Sequence, residues 1–323
     1  MRNQTDKTKT NKKLLREIYG EFPLRPVHLD YENVYFNENY AAGKAVFIEK
    51  KLILDLSEKN SELVVKMIMP KDDLPCPTII YLSDEKHIPN KFLPVEEIID
   101  RGYGIISICA DDIAENNGNF KTKIASKIAR SRKKKDAAGK IAIWAWALMR
   151  AVDFSCESAE INKTKIILSA HGIYARAAML AAALDERVNY VIANGLGCYP
   201  PLYSEKNHKT ACGMKDYPYL YCPSFVNEPF GDEYYALLEG CCNTKILIGE
   251  AEDGYGCDPL IELSYVSSAL VESGYDKIDI PKEIPTAPFQ INAGNISYHL
   301  RSGTDYFSRE DWNIYLDFID KSL

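Results

Sequence analysis

The feature that most constrains the fold is a junction between a short apolar run and an Ala-rich helical pattern. Residues 165–170 have the continuous apolar character of a buried strand, and residues 174–184 have the small and apolar side chains of a packed helix. Only His171, Gly172 and Ile173 lie between them, so the connection must be a tight turn. A buried strand followed at once by a packed helix is typical of a parallel sheet whose helices return across its faces.

The same alternation continues along most of the chain. Short apolar runs indicate strands at 78–82, 104–109, 190–193 and 245–249, and helical patterns cover 95–100, 140–154, about 259–273 and 309–321. Before them, residues 45–48, 52–54 and 63–69 have the alternation of β-segments that pair antiparallel. The sequence therefore predicts an α/β fold with a doubly wound, mostly parallel sheet, helices on both of its faces and antiparallel N-terminal strands.

The length suits one large α/β domain, because such folds reach 323 residues without dividing. We expect a polar N-terminal extension over residues 1–20 and a single domain over residues 21–323. Residues 197–243 are rich in Tyr, Pro and Cys and have no clean periodicity. Loops at the carboxyl ends of strands build the ligand crevice in such folds, so this span is interpreted as a cap-like insertion. The alternative is an irregular surface insertion.

Composition excludes several classes of partner. A net charge of −7 argues against nucleic acid, which needs a surplus of Lys and Arg. The N-terminus has no apolar signal region and no stretch approaches a membrane span, so we expect no membrane partner. Nine cysteines without an export signal indicate reduced thiols in the cytoplasm. Their spacings repeat no zinc-binding unit, and we predict neither a metal nor a cofactor.

Several sequence signatures occur in a fixed order, at 139–146, 150–153, 170–176, 183–187, 298–301 and 311–312. Together they resemble the glucuronoyl-esterase-like and acetyl-xylan-esterase-like α/β-hydrolases, and the likeness runs from about residue 76 to the C-terminus. The resemblance implies an α/β-hydrolase fold. It also implies a serine nucleophile at the turn between strand and helix, a histidine base and a carboxylate, acting on carbohydrate esters.

This chain departs from the pattern at the turn itself. The family sequence is Gly-His-Ser-Arg-x-Gly-Lys, and residues 170–176 read Ala-His-Gly-Ile-Tyr-Ala-Arg. The nucleophile position therefore falls on Gly172, and the arginine beside the oxyanion is replaced by Ile173. Glycine supplies a permissive backbone but no atom that can attack a carbonyl. By position, His171, Ile173 and Arg176 become candidates for ligand binding.

The base position is also substituted. The family places its catalytic histidine in a Gly-x-His-Asp turn after Tyr-His-x-Arg, and the corresponding stretch puts Thr304 there. His299 and Arg301 in the same stretch are further candidates for ligand binding. The family's acid matches Asp258, with Glu252 as a second candidate. The alternative for both carboxylates is structural, because acidic residues after a strand commonly cap the next helix or face water.

The residues favour a degenerate carbohydrate-esterase relative that lacks serine-esterase activity and keeps a crevice for a carbohydrate or small ester. Two other functions stay open. An active ester hydrolase could use a relocated nucleophile, for which Ser169, Cys109 and Cys198 are candidates, although no base stands beside them in sequence. A protein-interaction module could use the tyrosine-rich residues 217–221. The sequence leaves the oligomeric state open.

Overall fold

The computed structural model describes residues 13, 15–56, 60–129, 131–196, 217–225, 233–254 and 258–322. The strands are β1 His28–Tyr40, β2 Ala45–Asp55, β3 Asn60–Pro70, β4 Cys76–Ser83, β5 Gly104–Cys109, β6 Ile161–His171, β7 Tyr190–Asn194, β8 Lys245–Asp253, β9 Phe289–Ala293 and β10 Ile296–Thr304. The labelled α-helices are α1 Val95–Asp100, α2 Ala110–Ile113, α3 Ala125–Ile128, α4 Lys140–Glu157, α5 Ile173–Leu184, α6 Glu233–Gly240, α7 Pro259–Glu272 and α8 Arg309–Asp320. A 3₁₀ turn covers Pro218–Leu220.

All ten of these strands form one sheet in the order β1-β2-β3-β5-β4-β6-β7-β8-β10-β9. The neighbours from β5 to β10 are parallel, whereas β1, β2 and β3 pair antiparallel and β9 is antiparallel to β10. The prediction of a doubly wound, mostly parallel sheet with antiparallel N-terminal strands is confirmed. The strand order reverses at β4, because β5 lies on one side of it and β6 on the other. Such a reversal opens a crevice at the carboxyl ends of the two diverging strands.

Helices cover both faces of the sheet. On one face α1 and α8 pack against side chains such as Ile79, Ile105 and Ile167, and on the other α4 to α7 pack against the opposite side chains of the same strands. These two apolar layers bury β4 and β6 on both faces, which explains their continuous apolar sequences. On the first face, Trp312 of α8 stacks on Phe307 with ring centroids 4.3 Å apart. That contact fixes the segment that follows β10.

The middle of the predicted insertion at 197–243 packs against the helix layer. Residues 197–216 and 226–232 of this insertion lie outside the described ranges, as do residues 1–12 and 14 of the predicted N-terminal extension. The described Leu15, Ile18 and Tyr19 of that predicted extension are buried in the core rather than forming a polar tail. The described residues 217–225 contact the segment before α4. There, Arg132 donates hydrogen bonds to the carbonyls of Pro218, at 3.1 Å, and Tyr221, at 2.8 Å. This part of the insertion therefore covers the start of α4.

Candidate active site

The turn between β6 and α5 has the backbone of a nucleophile elbow. Gly172 adopts φ +61° and ψ −129°, a conformation that L side chains rarely adopt. Its N–H donates to the carbonyl of Asn194 at 2.9 Å, and its carbonyl accepts from the N–H of Ala175 at 3.0 Å. A Cβ built on Gly172 would meet no atom within 4 Å. The strained backbone is thus present, and the space that a nucleophilic side chain would enter is open.

Gly172 lies at the strand reversal, in a crevice that we call the elbow crevice. It has a volume of about 420 Å³, within the usual range for ligand pockets. Three segments supply most of its wall: residues 81–85 at the end of β4, 171–174 at the elbow and 305–307 after β10, with Phe92 and Asn116 beside them. The crevice therefore forms where the topology predicts it.

His171 is held at the crevice by a chain of hydrogen bonds. Its Nδ1 lies 2.8 Å from Oδ1 of Asn194, and the Asn194 amide donates to the hydroxyl of Tyr315 at 3.1 Å. With the Asn194 amide donating to Tyr315, its Oδ1 accepts from Nδ1–H of His171, which leaves Nε2 without a proton in the neutral imidazole. Nε2 lies 3.7 Å from Oδ1 of Asp305. Nε2 therefore faces a carboxylate oxygen from beyond hydrogen-bond distance.

Space beside this pair is restricted at Gly195, which also has a φ of +61°. A Cβ there would lie 2.8 Å from Cε1 of His171 and 3.1 Å from Oδ1 of Asp305. Glycine at this position lets His171 and Asp305 approach each other. Sequence reasoning singled out His171 but missed Asp305, Asn194 and Gly195. Polar residues and glycine at the carboxyl ends of parallel strands are the signal that could have found the last two.

The predicted base position, Thr304, is the last residue of β10 and is exposed. It pairs with Asp253 at the end of β8. The next residue, Asp305, is the one that lines the elbow crevice and faces His171. At either position the described side chain is not an imidazole, so this turn supplies no histidine base to the elbow.

The two acid candidates have structural partners. Asp258 caps α7, its Oδ1 accepting from the N–H of Leu260 at 2.9 Å. Glu252 is exposed and accepts from the N–H of Ala287 at 3.2 Å. Neither side chain lines the elbow crevice. These contacts support the structural alternative for both carboxylates.

Of the five residues predicted to bind ligand, His171 and Ile173 line the elbow crevice. The other three do not line it. Arg176 is buried, with its Nε 3.3 Å from Oε1 of Glu233. His299 and Arg301 are buried against Asp311, with Nε2 of His299 at 2.8 Å and Nε of Arg301 at 2.9 Å from its carboxylate oxygens. His299 and Arg301 thus join β10 to Asp311 at the start of α8.

The relocated nucleophiles considered from sequence are poorly placed. Ser169 is fully buried within β6 and does not line the elbow crevice. Burial raises the pKa of the Cys109 thiol, which disfavours the reactive thiolate. Cys198 lies outside the described ranges. Ser83, which the sequence reasoning missed, does line the elbow crevice, but its buried hydroxyl has no hydrogen-bond partner that could act as a base.

The described ranges hold no group of three or more His, Cys, Asp or Glu side chains arranged to bind a metal ion. Among the described helices, none is both long and apolar enough to cross a membrane.

Comparison with known proteins gives a consistent result. The sequence pattern of the family described as "Glucuronyl esterase, fungi" matches residues 54–211, just under half of the chain. Carbohydrate esterase MZ0003 from an unknown prokaryotic organism is 25% identical over 246 residues, which is 71% of this chain. In sequence the chain is similar to the glucuronyl esterase family and to a carbohydrate esterase. The match spans only 56% of the length of MZ0003, so this chain corresponds to little more than half of that protein.

Solved structures show that this chain has the α/β-hydrolase fold of the glucuronoyl esterases. A glucuronoyl esterase from Solibacter usitatus superposes with a TM-score of 0.83 at 20% identity, covering 98% of this chain and 92% of that one. A promiscuous esterase of carbohydrate esterase family 15 from a marine bacterial metagenome gives 0.80 at 20% identity, covering 98% and 91%. A Sporotrichum thermophile glucuronoyl esterase variant, solved with methyl 4-O-methyl-beta-D-glucopyranuronate, gives 0.67 at 15% identity, covering 98% and 83%.

Proposed function

We propose that this chain binds a carbohydrate in the elbow crevice and does not hydrolyse esters by a serine mechanism. The observation that carries the proposal is Gly172. Its backbone keeps the strained geometry of an elbow, while no side chain occupies the open space in front of it. A glycine can form the turn but cannot form an acyl-enzyme.

The other catalytic positions of the family pattern also lack their catalytic groups. Ile173 has replaced the arginine of the family pattern, Thr304 and Asp305 supply no imidazole, and the acid candidates Asp258 and Glu252 contact other parts of the fold. In the serine protease subtilisin, loss of the nucleophile or of the base each costs on the order of 10⁶ in turnover. Loss of both therefore leaves binding as the main capacity of the crevice.

The wall of the elbow crevice suits a sugar. Phe92 and Phe307 offer apolar surfaces for the C–H face of a sugar ring, and Asp84, Asn116 and Asp305 offer oxygens that can accept hydrogen bonds from its hydroxyls. The relatives named as carbohydrate esterases support this class of ligand. As part of the same proposal we place the protein in the cytosol, since the six described cysteines are all free thiols.

The test combines turnover, labelling and binding. We expect no hydrolysis of methyl glucuronate or acetyl xylan above the buffer rate and no adduct with a serine-directed phosphonate, while neutral oligosaccharides bind in calorimetry. Turnover together with stoichiometric labelling that Ser83→Ala or Ser169→Ala abolishes would refute the proposal and identify a relocated serine. Absence of any carbohydrate binding would refute the proposal that the elbow crevice binds a carbohydrate.

Repair of the site gives a second test. Gly172→Ser restores a hydroxyl where the structure leaves space, and the base can be restored by Thr304→His or by Asp305→His. We expect a weak esterase at most, because Ile173 still cannot donate to an oxyanion and a misplacement of about 1 Å costs on the order of a hundredfold in rate. The two double variants are matched controls for each other, and the more active one identifies the true base position.

A second candidate function is slow ester hydrolysis by water. The observation that favours it is the pair formed by His171 and Asp305, in which Nε2 could accept a proton from a water molecule at the elbow. Turnover by this route would disappear in His171→Ala and Asp305→Asn and would be insensitive to the phosphonate. That result separates it from a relocated serine.

A further inference from the structure

A second crevice adjoins the elbow crevice. It has a volume of about 610 Å³ and shares Asp84, Asn116 and Tyr174 with the elbow crevice. We call it the acidic crevice because its wall carries four carboxylates and two lysines: Asp84, Asp111, Asp112, Glu115, Lys86 and Lys123. Since the shared residues belong to both walls, a ligand of two linked sugar units could occupy both crevices at once.

Negative charge in the acidic crevice is only partly balanced by the protein: Lys86 and Lys123 lie in its wall, and the buried Lys140 is close enough to interact with Asp111 and Glu115. Nζ of Lys86 lies 3.4 Å and Nζ of Lys123 lies 3.9 Å from the same oxygen of Asp112, so both lysines meet one carboxylate. Among the described residues, Asp84, Asp111 and Glu115 form no ion pair. Burial, together with the nearby Asp84, Glu115 and Asp112, raises the pKa of Asp111. The site therefore has an unmet preference for positive charge.

A largely buried polar side chain also faces this charge. Tyr174 is only 8% exposed, and it lines both crevices. Trp144 holds its ring edge-on, with centroids 4.9 Å apart, but its hydroxyl makes no hydrogen bond to the described part of the chain. Burial, then Asp84 and Asp111, raise its pKa, so the hydroxyl stays protonated. A hydroxyl without a protein partner needs a ligand or water to satisfy it.

We propose that the acidic crevice binds the ammonium group of an amino-sugar unit whose neighbouring sugar occupies the elbow crevice. An ammonium group has three donors and no acceptor, which matches the carboxylates of Asp84 and Asp111 and the lone pairs of the Tyr174 hydroxyl. The same charges repel the carboxylate of a free uronate. This inference rests on the proposed carbohydrate binding at the elbow and adds a charge preference to it.

The experiment compares two ligands that differ in charge. A tetramer of β-1,4-linked glucosamine and its fully N-acetylated counterpart are titrated by calorimetry at mildly acidic pH, with free glucuronate as an anionic probe. We expect the glucosamine tetramer to bind more tightly than the acetylated tetramer, with an advantage that falls in high salt. Asp84→Asn and Asp111→Asn should each weaken its binding about two- to fivefold and leave the acetylated tetramer unaffected. Asp72→Asn, at an exposed site outside both crevices, is the matched control.

The outcomes separate this inference from the proposed function. Equal binding of the two tetramers, or glucosamine binding that both Asp variants leave unchanged, refutes the ammonium site while carbohydrate binding at the elbow stands. Tighter binding of glucuronate than of glucosamine also refutes it. Failure of every carbohydrate to bind refutes both. If Asp72→Asn weakens glucosamine binding as much as Asp84→Asn, the attraction comes from the net charge of the protein and the inference is wrong.

Discussion

Replacement of Gly172 by alanine measures the strain stored at the elbow. A Cβ at this position meets no atom within 4 Å, so the change adds no steric clash. The cost comes from φ +61° and ψ −129°, a region in which a non-glycine residue costs about 1 to 3 kcal/mol. Alanine also restricts the unfolded chain, which returns about 0.4 to 1 kcal/mol. The difference predicts that Gly172→Ala lowers the free energy of unfolding by up to about 2.6 kcal/mol.

Two other glycines make this measurement interpretable. Gly118 also has no atom within 4 Å of a built Cβ, and its φ lies outside the left-handed region, so Gly118→Ala should be neutral or stabilising by up to about 1 kcal/mol. Gly195 shares the φ of +61° but would place its Cβ 2.8 Å from His171, so Gly195→Ala should cost more than Gly172→Ala. Urea unfolding of the three variants gives the comparison. If Gly172→Ala is as stable as Gly118→Ala, the elbow is not held in this strained conformation in solution.

Three further predictions concern the core. Burial opposes ionisation of Asp311, but hydrogen bonds from His299, Ser308 and Arg301 hold its pKa below the ordinary value. The ionised carboxylate therefore stabilises the fold at any pH above the ordinary pKa of Asp, and this stabilisation is lost as the pH falls through the lower pKa of the folded state. Asp311→Asn should cost about 3 to 5 kcal/mol in urea unfolding at neutral pH, and a smaller loss than in an exposed Asp→Asn control would contradict the buried network. Burial lowers the pKa of Lys140 to about 8, so the unfolded chain binds its proton more tightly and stability should rise between about pH 8 and 10, by at most about 3 kcal/mol. Lys140→Met should flatten that rise in the free energy of unfolding. If the variant keeps the same pH profile of stability as the wild type, the assignment to Lys140 is refuted. The six described cysteines are free, so thermal melts with and without a reductant should coincide, and a large drop under reduction would point to a disulfide.

The central part of the fold could be predicted because its signal is local. Strands buried on both faces read as apolar runs, which located β4 to β8, and the turn at Gly172 followed from its neighbours. The strands β1, β9 and β10 were missed for different reasons. β1 is a largely exposed edge strand with many polar residues, so it has no regular alternation. β10 carries His299 and Arg301 at buried positions, which are tolerated only because Asp311 of α8 pairs with both.

The candidate site was predicted where a motif fixed the positions and missed where contacts join distant segments. Gly172 and His171 came from the elbow pattern, and both lie in the elbow crevice. Asp305 and Asn194 contact His171 from the ends of other strands, which no spacing along the chain reveals. Asp258 looked like a catalytic acid because helix caps and catalytic carboxylates both follow strands; only its contact with Leu260 separates the two roles.

The three-part wall of the elbow crevice also sets when it can form. Residues 81–85, 171–174 and 305–307 are brought together only once β10 has paired with β8 and α8 has docked its Trp312 against Phe307. Contacts of such long sequence separation are slow to form in folding, because the chain entropy of loop closure must be lost first. A nascent chain released only as far as β8 would have the elbow turn but no complete crevice. A ligand that bridges these segments would therefore raise the melting temperature of the finished domain, so thermal shift can serve as a search method for the natural ligand.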